Sequence, residues 1–223
     1  MKFRSAARRL RPFLVAGAIA LGTTLSAQLG AAADTSLDIP TMGQQDPAWG
    51  AAPLGTSPTD TIASSGCAIT ALAMMLGYYG NSTDPGALNS WLTANGGYAF
   101  DDAVIWDAVN RFSGGQVVLS NWTGPDLDLI RAELDAGRPV VAEVRLDGNQ
   151  HFVLITGDRA DGGFQINDPW FADSVNFSDR YGDPASGIVS IRTFMTVAPP
   201  APPPGTSWPS WIASTRSASH LAQ

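Results

Sequence analysis

The sequence contains few of the side chains that form disulfides and metal sites. Its 223 residues include one cysteine, Cys67, two histidines, His151 and His220, and one lysine, Lys2. A single cysteine cannot form an internal disulfide, and one cysteine with two histidines is too small a set for a zinc cluster. No phosphate-binding loop that ends in Gly-Lys occurs anywhere in the sequence. We therefore expect no metal and no organic cofactor.

The N-terminal residues have the three parts of an export signal. Residues 2–11 contain five basic residues and no acidic one, residues 13–33 are mostly apolar, and the stretch ends in three consecutive alanines. This order is typical of a signal peptide, which we predict over residues 1–33. A membrane anchor is the alternative, but the uninterrupted apolar part is short for a spanning helix and rich in small residues. We expect a secreted or extracytoplasmic protein with no stable membrane insertion after cleavage.

Acidic residues dominate the charge of the predicted mature chain. Cleavage after Ala33 removes five of the 13 basic residues and leaves eight arginines against 20 acidic residues, a net charge of −12. Such a charge argues against nucleic acid and against anionic membrane surfaces as partners.

A proline-rich segment marks the end of the predicted domain. Residues 198–205 read Ala-Pro-Pro-Ala-Pro-Pro-Pro-Gly, and no sustained apolar period follows them. We predict a disordered tail over residues 198–223, which leaves residues 40–197 as one domain of ordinary size. His220 lies in that tail, so we do not expect it to be catalytic.

Apolar periodicity and turn residues predict helices first and strands second. The helices are expected over residues 67–80, from Asp84-Pro85 onwards, around 102–112, and after Gly124-Pro125. The strands are expected over residues 139–146, 151–156, 164–167 and 188–197, with tight turns between them. This order favours an α+β fold with an antiparallel sheet.

Cys67 is predicted at the first position of a helix that is apolar on almost every side, so the helix should be buried. Ser64 and Ser65 are candidate N-caps for it. A helix N-terminus favours a thiolate, and its free N–H groups can bind an oxyanion. Gly66 adds no side chain before the cysteine, so a substrate backbone could approach closely. The alternative is an unreactive cysteine packed beneath a loop.

His151 and Asp168 are the candidates for a base and its orienting group. His151 opens a strand directly after a turn, where a side chain can be exposed and still firmly held, and a thiol nucleophile needs such a base. Asp168 closes the next strand, so hairpin pairing would bring Asp168, or its neighbour Asn167, next to His151. A carboxylate there would orient the imidazole. The alternatives are a surface histidine without a role and a turn aspartate before proline.

Four short stretches in order carry a resemblance to a known family. They read Gln-Gln-Asp-Pro-Ala-Trp at 44–49, Ser-Gly-Cys-Ala-Ile-Thr-Ala-Leu-Ala-Met at 65–74, Gly-Asn-Gln-His-Phe-Val-Leu at 148–154 and Ile-Asn-Asp-Pro at 166–169. With them, from about residue 40 to 170, the chain resembles the papain-like cysteine peptidases, and within them the double-glycine (bacteriocin-leader) peptidase-like family. Bacteriocin processors of that family are fused to a transporter. This sequence shows no further apolar spans and resembles the free-standing exported form.

The resemblance implies a papain-like fold and a role for each candidate residue. Cys67 would be the nucleophile, His151 the general base and acid, and Asp168 the orienting acid, with Asn167 as the alternative. A glutamine of the first stretch would donate to the oxyanion; the family spacing Gln-x-Asp-Pro-x-Trp selects Gln44, and Gln45 is the alternative.

The expected activity is hydrolysis of peptide or isopeptide bonds in a peptide or protein substrate, through a thioacyl intermediate. An acyltransferase or a cell-wall peptide amidase could use the same site, because fold and triad do not fix the substrate. A binding module that no longer catalyses is the third possibility. Trp170 is expected either to cover the Asp168–His151 pair or to line the cleft.

Overall fold

The computed structural model describes residues 34–197. The signal peptide predicted over residues 1–33 and the tail predicted over residues 198–223 lie outside this range. Within residues 34–197, no helix is both long enough and apolar enough to cross a membrane.

Helices and strands alternate more than the sequence predicts. The helices are α1 Ile62–Ser65, α2 Cys67–Tyr78, α3 Pro85–Ala94, α4 Ala108–Phe112, α5 Leu127–Asp135, α6 Phe177–Tyr181 and α7 Pro184–Gly187. The strands are β1 Thr35–Ser36, β2 Tyr98–Ala99, β3 Ala103–Val104, β4 Val117–Thr123, β5 Val140–Leu146, β6 Asn149–Asp158, β7 Phe164–Asp168, β8 Asp173–Asn176 and β9 Ser190–Thr196.

One antiparallel sheet organises the fold. Its strands follow the order β4-β9-β5-β6-β7-β8, and β1 pairs with the end of β6. Strands β5 and β6 form a hairpin with Val144 opposite His151, and β6 pairs in turn with β7. The expected α+β fold with an antiparallel sheet is therefore confirmed.

The buried helix α2 lies against β6. Nine of its twelve residues are buried, as the unbroken apolar sequence predicts. Its side chains share one apolar core with Phe152 and Leu154 of β6. This packing joins the helical part of the chain to the sheet, and it brings the start of α2 towards the start of β6.

Two sequence predictions about secondary structure are wrong. The predicted helix around 102–112 is helical only in α4, because β2 and β3 form a small hairpin before it. The turn of that hairpin is held by Asp101, whose carbonyl oxygen accepts from the Thr56 N–H at 2.9 Å. Strand β4 also lies between helices α4 and α5, so the helices do not all precede the main sheet.

Candidate active site

Cys67 is the first residue of α2, and the turn before it is tightly built. Thr61 caps α1, and Gly66 ends α1 and begins α2 without a side-chain cap. The predicted capping of α2 by Ser64 or Ser65 is therefore wrong. A Cβ atom at position 66 would lie 2.5 Å from the Ile62 carbonyl oxygen, so glycine is needed here for space. Cys67 keeps 8 % of its surface exposed, at the positive end of a buried helix.

His151 is the third residue of β6 and is almost fully buried, with 3 % of its surface exposed. The expectation of an exposed side chain at a strand end is wrong, because the chain beyond β7 returns to this face and places the ring of Tyr181 6.4 Å from the imidazole. The Nε2 atom of His151 lies 2.9 Å from Oδ1 of Asp168. Nε2 is thereby engaged, and Nδ1 is the ring nitrogen left for Cys67.

The pKa of His151 depends on its burial and on its two neighbours, Asp168 and Cys67. Burial lowers this pKa, because it removes the charged imidazolium from water, but hydrogen bonds with Asp168 and Cys67 and their charges outweigh burial. The result is a pKa raised to about 9. The imidazolium is the favoured form at neutral pH, and an imidazolium beside a sulfur stabilises the thiolate.

Asp168 and Asn167 contact different parts of the molecule. Asp168 accepts from His151, whereas Nδ2 of Asn167 donates to the carbonyl oxygen of Ile39 at 2.7 Å. The sequence left both residues open as partners of His151, and of the two it is Asp168 that makes the contact.

Gln44 and Gln45 also differ in position. Gln44 is buried, lines the cleft beside Cys67, and donates from Nε2 to the Ala63 carbonyl oxygen at 2.9 Å. An amide nitrogen carries two N–H groups, so one donor of Gln44 stays available. Gln45 is exposed, and its Nε2 lies 3.4 Å from the Trp170 carbonyl oxygen.

A cleft of about 670 Å³ lies beside Gln44, Cys67 and His151. Its wall includes three of the four candidate catalytic residues and three tryptophans, namely Gln44, Cys67, His151, Trp106, Trp122 and Trp170, whereas Asp168 lies buried behind His151. Trp170 lines this cleft, and its backbone N–H also donates to Oδ1 of Asp168 at 3.0 Å. A volume of this size accommodates a few residues of an extended peptide.

The model of the Peptidase_C39 like family matches residues 36–185 of this chain. This chain belongs to that family. The match supports a cysteine peptidase and covers all four candidate residues. A search of curated proteins finds no match.

Two residues of this Peptidase_C39 like protein that the sequence did not suggest also contact Asp168. Arg180 donates from Nη1 and Tyr181 from its hydroxyl to Oδ2 of Asp168, at 2.9 Å and 2.7 Å. Both come from the short helix α6, after the last residue of the resemblance. The sequence could suggest only that a buried aspartate needs a cation beside it. It does not indicate which arginine supplies that cation.

A buried arginine supports the far wall of the Peptidase_C39 like cleft. The guanidinium carbon of Arg192 lies 4.7 Å from the ring centre of Trp106, 4.8 Å from that of Trp122 and 4.9 Å from that of Phe152. Its Nη2 atom is 3.3 Å from Oε2 of Glu143. Trp106 is 7 % exposed and also lines the cleft. The cation–π contact of Arg192 links Trp122, which is 62 % exposed, to this buried ion pair.

Proposed function

We propose that this chain is a secreted cysteine peptidase that hydrolyses peptide or isopeptide bonds through Cys67, His151 and Asp168, with Gln44 as an oxyanion donor. The observation that carries the proposal is the position of His151, engaged by Asp168 through Nε2 and coupled to Cys67, on the wall of a peptide-sized cleft. Membership of the Peptidase_C39 like family supports the same reaction class.

The first half of the reaction forms a thioacyl intermediate. His151 holds the proton of the Cys67 thiol, and Sγ attacks the carbonyl carbon of the scissile amide. The carbonyl oxygen becomes an oxyanion, which the Cys67 backbone N–H and the free N–H of Gln44 stabilise. When the tetrahedral intermediate collapses, the C–N bond breaks, and His151 gives its proton to the departing amine.

The second half releases the acyl group. Water attacks the thioester carbonyl while His151 takes one of its protons. The C–S bond then breaks, the product leaves as a carboxylic acid, and the Cys67 thiolate and the His151 imidazolium of the starting state are restored. Asp168 keeps its charge throughout and stabilises the imidazolium that forms in each half.

Cleavage of a mixed peptide library tests the proposal. The purified protein is incubated with peptides from a denatured protein digest, and new termini are identified by mass spectrometry. We expect cleavage by the wild type and none by Cys67→Ala, with His151→Ala reduced about 100- to 10,000-fold. Retention of every cleavage by folded Cys67→Ala would overturn the assignment of the nucleophile. Repeating the incubation with an added primary amine separates hydrolysis from acyl transfer.

Export is part of the proposal and has its own test. The basic, apolar and small-residue parts of residues 1–33 support signal cleavage after Ala33. The full-length chain is expressed in a host with an export system, and the N-terminus of the product outside the cytoplasm is sequenced. We expect a new terminus at Asp34. An uncleaved chain confined to the cytoplasm contradicts secretion.

A further inference from the structure

The carboxylate of Asp168 is fully buried, and each of its two oxygens accepts two hydrogen bonds. Oδ1 accepts from His151 Nε2 and from the backbone N–H of Trp170, at 2.9 Å and 3.0 Å. Oδ2 accepts from Arg180 Nη1 and from the hydroxyl of Tyr181, at 2.9 Å and 2.7 Å. The charged and titratable groups that face Asp168 directly are therefore His151, Arg180 and Tyr181.

The chemistry of these donors favours the ionised form of Asp168. A guanidinium and a backbone N–H can only donate, and each of them occupies a different oxygen of the carboxylate. Burial alone would raise the pKa of Asp168, but the donors lower it below its usual value. Asp168 is thus held as an acceptor, even though its burial removes it from water.

The ionisation of Asp168 decides where the neutral imidazole of His151 carries its proton. An ionised carboxylate accepts from Nε2, so the single ring proton sits on Nε2 and Nδ1 has a free lone pair. A protonated carboxyl group could donate to Nε2 instead, and the ring proton would then sit on Nδ1. Only the first tautomer can accept a proton from Cys67.

Arg180 is itself held in place from its outer side. Its Nη1 and Nη2 atoms donate to the two oxygens of Asp173, at 2.8 Å and 2.9 Å. The guanidinium carbon lies 3.9 Å from the ring centre of Phe171. Phe177, at the start of α6, is buried in the core and anchors the helix. These contacts hold the cation beside Asp168 from its outer side.

We propose that Arg180, assisted by Tyr181, is a positioning residue that keeps Asp168 ionised and so selects the tautomer of His151 that can accept the proton of Cys67. This inference rests on the proposed function for its effect on catalysis. The tautomer itself can be measured without any catalysis, so the two can fail separately.

The first test measures alkylation of Cys67 by iodoacetamide between pH 4 and pH 10. We expect the wild type to react at pH 6 much faster than a free thiol. Arg180→Met should lower this rate at least about 10-fold and move the profile towards that of a free thiol. Arg180→Lys keeps a donor and a charge and should recover most of the rate. Arg159→Met, which removes an arginine paired with Asp161 on the surface, is the matched control.

The second test reads the tautomer directly. Only two histidines occur in the sequence, so ¹⁵N-histidine labelling gives a simple spectrum. In the Cys67→Ala background at a pH where His151 is neutral, we expect the Nε2–H form. Adding Arg180→Met should populate the Nδ1–H form. An unchanged tautomer in the folded double variant overturns the inference, whatever the enzymatic activity of the wild type.

A second, milder variant keeps the inference testable if Arg180→Met does not fold. Tyr181→Phe removes one hydroxyl, and we expect a folded protein with a roughly 2- to 5-fold lower alkylation rate at pH 6, since one donor of about 1 kcal/mol is lost. If folded Tyr181→Phe has both the alkylation profile and the tautomer of the wild type, the inference is wrong. A wild type without enhanced alkylation at pH 6, but with the expected tautomers, contradicts the proposed function and leaves tautomer selection intact.

Discussion

Asn167 and Asp168 are neighbours in the chain, but their side chains leave strand β7 towards opposite faces of the sheet. Asn167 donates to the Ile39 carbonyl oxygen at 2.7 Å, and Asp168 accepts from His151 at 2.9 Å. Alternation along a strand accounts for this difference. The sequence alone could not decide which of the two contacts His151, and the alternation of side chains along β7 decides it.

This difference predicts opposite phenotypes for two conservative substitutions. Asp168→Asn should lower peptide hydrolysis about 100- to 10,000-fold, because the neutral amide no longer stabilises the imidazolium of His151. Asn167→Ala should cost about 1–3 kcal/mol of unfolding free energy, because the Ile39 carbonyl loses its donor, with little change in hydrolysis. Peptide cleavage rates and urea denaturation measure both effects. A larger loss of hydrolysis in Asn167→Ala than in Asp168→Asn would contradict these roles.

The raised pKa of His151 predicts the alkaline limit of activity. The imidazolium must protonate the departing amine, and with a pKa of about 9 it persists up to that pH. We expect kcat/KM to stay high from neutral pH to about pH 9 and to fall above it. His151→Ala should abolish this alkaline fall in kcat/KM, and His220→Ala, which changes the only other histidine, should leave it in place. A fall of kcat/KM that begins near pH 6.5 in the wild type would mean that His151 titrates like a free imidazole.

The two adjacent glutamines provide a matched pair for the oxyanion. Gln44→Ala should lower kcat about 100- to 1,000-fold with a smaller change in KM, because the lost donor acts on the transition state. Gln45→Ala should change kcat less than about 3-fold, since Gln45 is exposed, lies outside the cleft wall, and donates from Nε2 to the Trp170 carbonyl oxygen. Steady-state kinetics on one cleaved peptide decide between them. Equal effects of the two substitutions would contradict the choice of Gln44.

The glycines at the two ends of α2 predict stability changes of opposite sign. A Cβ at Gly66 meets the backbone of Ile62, so Gly66→Ala should destabilise the fold by about 1–3 kcal/mol and lower Cys67 reactivity. A Cβ at Gly77 has nothing within 4 Å, so Gly77→Ala should stabilise the fold by about 0.5–1 kcal/mol. Thermal unfolding measures both. A Gly66→Ala protein as stable as the wild type would show that the turn can relax.

Arg192 and Arg145 both contact Glu143, but in different surroundings. Removal of Arg192 leaves Glu143 buried with fewer partners, so Arg192→Met should destabilise the protein by about 3–5 kcal/mol. The Arg145 side chain is 47 % exposed, and Arg145→Met should cost about 1 kcal/mol or less. Chemical denaturation separates the two. A similar small cost for both would mean that the stacked aromatic rings alone hold the cleft wall.

The parts of the site that were predictable are those whose signals are local. The apolar run after Cys67 and the glycine before it predict a buried helix with the cysteine at its start. The strand patterns around His151 and Asp168 predict a hairpin that brings these two residues together. Gln44 came from the resemblance alone.

The remaining parts depend on contacts that the sequence pattern does not contain. Strand β4 escaped prediction because most of its side chains face solvent and its partner β9 lies far along the chain. The burial of His151 and the contacts of Arg180 with Asp168 both follow from α6 packing back over β7. No periodicity of the sequence encodes which short helix returns to which strand.

The division of the site between α2 and β6 links reactivity to folding. Cys67 belongs to the first half of the chain and His151 to the second, and they meet only when α2 packs against the sheet. Contacts between distant parts of a chain form late, because a long loop must first close. A chain that has not yet folded therefore holds its cysteine as an ordinary thiol. The folding reaction itself is the step that turns this thiol into the proposed nucleophile.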